Sequence, residues 1–196
     1  MSVYKQILYD GITSGKIPAK TKAARKWYRD AAQQISGNIR PGSMIGKFSD
    51  KRRVDRPDVG TMYSFRYNPK LKKTLPYYDV FPLVFPIKPM PDGFIGMNFH
   101  YLDLPNRAKL MDALYTISSD RRYDENTKIM ATYDLLKSAS KFKFFKPTVK
   151  RYLYSFVTSP FLEITAAEWD IAIFLPMENF KKATKQEVWK DSKGKF

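Results

Sequence analysis

The side chains in this sequence that could do chemistry fall into two unequal groups. The first holds four acids and one imidazole. Asp79, Asp92, Asp103 and Asp112 are the candidates for clustered carboxylates that would hold Mg²⁺ against a phosphate, as a metal-dependent nuclease requires. Each also has an ordinary role. Asp92 belongs to an Asp92-Gly93 turn, Asp103 precedes a helical stretch, and Asp112 falls on a helix face. His100 is the only histidine, with no second His, Ser or Cys beside it, and reads as a structural hydrogen bonder. The chain has no cysteine, which excludes disulfides, thiol catalysis and a zinc site of Cys and His type. No phosphate-binding loop, dinucleotide fingerprint, nucleophile elbow, HExxH pair or EF-hand loop occurs. No catalytic residue, metal or cofactor is expected.

The second group is basic and aromatic. Residues 137–154 (KSASKFKFFKPTVKRYLY) carry Lys141, Lys143, Lys146, Lys150 and Arg151 and no acid, interleaved with Phe142, Phe144, Phe145, Tyr152 and Tyr154. Basic groups can follow a phosphate backbone, and aromatic rings can stack on exposed bases. The competing reading makes the rings core and the lysines solvated. A second basic cluster, KFSDKRRVDR, holds Lys51, Arg52, Arg53 and Arg56. These nine cations are the candidate nucleic-acid contacts. The alternative is that the second cluster laces an acidic groove of another protein. The whole chain of 196 residues has 35 Lys and Arg against 19 Asp and Glu, a net of +16, which points to a polyanionic partner or an acidic assembly.

These groups must be positioned by an ordinary folded body, since 43% of the residues are apolar and 15% aromatic. Residues 1–60 contain 13 basic and 5 acidic residues and are expected to form a basic arm with one helix, Thr21 to Ile35, between Pro18 and Gly37. Residues 61–180 are expected to form an α+β core. Its strands are Thr61 to Tyr67, Tyr77 to Ile87 (an edge or bulged strand, because of Pro82 and Pro86), Phe94 to Leu102 and Phe161 to Ile164. Its helices are Asn106 to Ile117, Asn126 to Ser140 and, in part, Lys146 to Thr158. Thr165 to Glu168 has the form of a capping box opening a short helix. The strands suggest a small antiparallel barrel or sheet, SH3-like or OB-like, with inserted and flanking helices. Residues 181–196 are a lysine-rich tail expected to be exposed. The opening MSVYKQILYDGITSG lacks the apolar core of a secretory signal, and no run is apolar and long enough to span a bilayer.

The segments LPYYDVFPLVFPI, GFIGMNFHYL and EWDIAIFLP, within residues 61–192, resemble the DNA end protector family of contractile-tailed bacteriophages. The resemblance implies a non-enzymatic virion protein that binds packaged DNA or the genome end at the head–tail region. It further implies other virion proteins as partners within a symmetric assembly, and a place in the virion and, during assembly, the host cytoplasm. It implies no membrane and no small-molecule substrate. A structural baseplate, neck or tail subunit, whose basic arm binds acidic neighbours, is the alternative.

Overall fold

The computed structural model describes residues 2–18, 21–35 and 52–194. The basic stretch from residue 36 to Lys51 lies outside them. The fold is built on an antiparallel sheet of six strands: β1 (Arg53–Val54), β2 (Met62–Ser64), β4 (Leu83–Met90), β5 (Gly93–Asn98), β6 (Val149–Leu153) and β7 (Phe161–Ile164). Their spatial order is β1-β7-β2-β4-β5-β6, so β1 and β6 are free edges. The sheet is therefore open, and the barrel alternative is not met. A separate ribbon pairs β3 (Tyr78–Asp79) with β8 (Phe180–Lys181).

The alternation at 61–67 has an unexpected meaning. Met62 enters the main core with Leu83, Phe85 and Met97, while Tyr63, Phe65 and Tyr67 enter a second core with Phe94, Tyr152 and Phe161. The sheet thus separates two apolar layers, and its two-residue period sorts side chains between cores rather than between core and water. β4 is an interior strand despite Pro86. Its register shifts between Pro86 and Lys88, the bulge that lets a residue without an N–H sit inside a ladder.

Helices cover the main core. α1 (Val3–Thr13) was not anticipated. It buries Tyr4 and Ile7. α2 (Lys22–Gln33) begins where its Thr21 cap predicts, with the Thr21 hydroxyl accepting from Ala24 N at 3.1 Å. It buries Ala24, Tyr28 and Ala32. Arg25 is buried as well, paired to Asp170 at 2.9 Å and Asp112 at 2.8 Å. The described part of the N-terminal segment is thus docked on the core rather than extended. α3 (Leu104–Ser118) and α4 (Glu125–Ala139) follow, capped by Asp103 and Asp124. α5 (Trp169–Ala172) follows Thr165, whose N–H and hydroxyl both donate to Glu168. The lysine-rich tail forms α6 (Lys185–Gly194), which buries Val188 and Ser192. The expected helix over 146–158 is replaced by a 3₁₀ segment, Lys143–Thr148, running into β6. Val149 and Tyr152 hold it there by packing on the two cores. Among the described residues, no helix is long and apolar enough to cross a membrane.

Candidate nucleic-acid interface

β6 carries the site. As an edge strand it has β5 on one side only, and the chain entering it brings the predicted cations together. Lys141, Lys143 and Lys146 are exposed and make no ion pair among the described residues. Phe142 between them is 64% exposed and Phe144 is also largely exposed, whereas Phe145 packs against the core. The alternative that these rings are core holds for Phe145 but not for its neighbours.

Beside β6 lies a cleft of about 580 Å³. One wall is the strand itself, Val149 to Leu153. The other is the loop from Pro69 to Leu75. The buried rings of Tyr101 and Tyr152 form its base, with half-buried Tyr77 and Tyr78 beside them. Lys150 Nζ sits 4.0 Å from the centre of the Tyr101 ring, a cation–π contact inside the cleft. Burial, and next the nearby Asp79 carboxylate, push the Tyr101 phenol well above its usual pKa. Burial does the same for Tyr77, reinforced by its hydrogen bond to Asp191. These phenols stay neutral and do not repel an anion. Arg151 at the lip pairs with Asp92 at 2.8 Å, both side chains being more than half exposed.

The loop wall supplies cations that the sequence reading passed over. Lys70, Lys72 and Lys73 lie in NPKLKKTLP, between the strands expected over 61–67 and 77–87. The loop is held by Lys182, whose Nζ donates to Lys73 O and Leu75 O at 2.9 Å each. A run of lysines in a turn usually marks a solvated tip. The usable signal was its place just before the aromatic Tyr77-Tyr78 pair that opens the next expected strand.

The second predicted cluster does not join the first. Arg52 pairs with Glu168 and donates to Glu163 O at 3.0 Å, and with Arg53 it stands at the β1 edge, across the sheet from β6. Arg56 is exposed and lies over the Tyr154 ring at 5.4 Å, just past the end of β6. Lys51 falls outside the described residues.

The acids considered as metal ligands are dispersed. Asp92 pairs with Arg151, Asp103 caps α3, and Asp112 pairs with Arg25 and Arg29. Asp79 sits in a buried network, accepting from His100 Nδ1 at 2.7 Å, Asn98 Nδ2 at 3.0 Å and Phe81 N at 3.0 Å. His100, 1% exposed, is thus a structural hydrogen bonder whose partner lies 21 residues earlier. Among the described residues no group of three or more metal-ligating side chains comes together.

A family model described as Phage T4 terminal DNA protecting protein matches residues 4–192. The chain belongs to this family. The membership agrees with the resemblance read from the sequence and extends it, for α1 and α2 fall inside the match along with the sheet. No match is found among curated proteins or solved structures. In this member of the terminal DNA protecting family, the cleft is lined by Lys70, Lys150 and Arg151 among aromatic rings, and the exposed Lys141 to Lys146 segment precedes its β6 wall in the chain.

Proposed function

We propose that this protein binds the ends of double-stranded phage DNA without chemistry, through the basic surface around the β6 cleft, and so shields the terminus from nucleases. The observation that carries this reading is the convergence of lysines from separate parts of the chain. Lys141, Lys143 and Lys146 lead into one wall and Lys70 lies on the other, while the base between them is aromatic. A cationic frame suits a phosphate backbone, and rings suit bases whose faces are open. An intact duplex offers no base face except at its end, so exposed Phe142 favours ends over internal sites. The family description supports the same function. Such a protein would sit where the packaged genome terminates, at the head–tail region of the virion among other virion proteins.

Competition between blunt linear duplex and a relaxed, covalently closed circle, across a salt series, tests the proposal. The linear duplex should bind tighter per molecule and resist an exonuclease when bound. Absence of binding near physiological salt would overturn DNA binding, and equal affinity for circle and linear duplex would overturn end recognition.

A further inference from the structure

The cleft beside β6 is deeper than backbone contact requires. Its volume of about 580 Å³ lies within the range of about 300–1,000 Å³ usual for sites that enclose a small ligand. Its base is aromatic, and two of its phenol hydroxyls are bonded to the protein. Tyr152 OH accepts from Asn98 Nδ2 at 3.2 Å, and Tyr77 OH bonds Asp191. What the cleft offers inward is the half-exposed ring surface of Tyr77 and Tyr78 above the buried Tyr101 and Tyr152, while the rim offers Lys70 and the Arg151–Asp92 pair. This combination complements one strand of nucleic acid: a base laid on the rings, with its phosphates at the rim. Intact duplex is too wide to enter such a cleft and presents only base edges along its grooves.

We propose, resting on the end-binding reading above, that the cleft captures an unpaired terminal nucleotide of one DNA strand and favours fraying of the last base pair. Arg151 is placed to change partners in this step. Its pair with Asp92 is exposed on both sides, a class of interaction of little net worth, so exchange for a phosphate costs little. Lys150 remains over Tyr101 and adds positive charge at the base of the cleft. Exposed Leu71 stands at the mouth, on the loop anchored by Lys182.

The experiment compares linear duplexes with three kinds of terminus. One has a short single-stranded overhang, one is blunt, and one is blunt with its last base pair covalently cross-linked. A closed circle serves as the substrate without ends. The overhang should bind about tenfold tighter than the cross-linked end, the gain expected from stacking one base. 5-Iodouracil at the terminal position should photo-cross-link to Tyr77 or Tyr78, and internal 5-iodouracil should not. Leu71→Asn, a neutral change at an exposed position, should lower the ratio of overhang to cross-linked-end affinity measured on the same variant, and an unchanged ratio would overturn the cleft. Equal binding to all three termini, tighter than to the circle, overturns the cleft and leaves end binding standing. No preference for any terminus over the circle overturns end binding itself.

Discussion

The Glu168 carboxylate is 2% exposed and accepts from Arg52, from Thr165 N and from the Thr165 hydroxyl. Arg52→Gln would leave that carboxylate buried without its cation, a loss of about 2–4 kcal/mol in urea-melt stability. DNA affinity of the folded fraction should not change, because Arg52 stands at the sheet edge opposite β6. A drop in affinity without a drop in stability would return Arg52 to the interface. Arg107 and Glu178 form a second buried pair at 2.7 Å, with Arg107 also donating to Leu102 O and Ile173 O. Burial pushes the Glu178 carboxyl up, but the Arg107 guanidinium and nearby His100 outweigh it, and the net shift is downward. A carboxylate lowered on folding stabilises fully above its unfolded pKa, about 4.3, and loses that contribution as pH falls through the lower folded value. Glu178→Gln should therefore cost about 3–5 kcal/mol at pH 7. The gap between variant and wild type should narrow below about pH 4. A gap constant from pH 7 to pH 3 would show that the charge of Glu178 is not what the fold uses.

Between elements, α1 approaches α2 closely at Gly11. Gly11 faces the Tyr28 ring, and a Cβ there would overlap the ring atoms. Tyr28 is buried and donates its hydroxyl to Lys16 O at 2.8 Å, so it has little freedom to withdraw. Gly11→Ala should cost about 1–3 kcal/mol by thermal or urea melting, despite its gain in helix propensity. A neutral or stabilising effect would mean that α1 is not packed on α2 as described. The same contact explains what the sequence concealed. α1 has no acid in its first turn and its buried positions are few, so its pattern is weak beside that of α2. α2, α3 and α4 were legible because Thr21, Pro105 and the apolar spacing of Leu110, Met111 and Leu114 are local signals. β6 was not, because Lys143 to Thr158 alternates no more cleanly than a helix and is held extended only by pairing with β5. The cleft was half legible. Its Val149 to Leu153 wall lies in the segment 137–154 that stood out as acid-free, but the Lys70 loop and the Tyr101 and Tyr152 base meet that wall only through the fold.

At the scale of the molecule, the excess of +16 is unevenly available to a partner. Arg25, Arg29, Arg52 and Arg107 are spent on buried or half-buried acids, whereas Lys141, Lys143 and Lys146, ahead of the β6 wall, and Lys70, Lys72 and Lys73, on the loop wall, remain exposed. Salt dependence can separate these two populations, since each phosphate neutralised on duplex DNA adds about 0.9 to the slope of log affinity against log salt. Replacing Lys141, Lys143 and Lys146 by Gln should flatten that slope by up to about 2.7. Replacing Lys70, Lys72 and Lys73 should flatten it by a similar amount. Both sets are exposed and outside the cores, so melting temperatures should stay close to wild type. If the two walls hold the same duplex end, the sixfold variant should show nearly the sum of both reductions, together with loss of exonuclease protection. A sixfold variant no flatter than either triple would mean that only one wall meets the backbone. An unchanged slope in both triples would move the binding surface elsewhere.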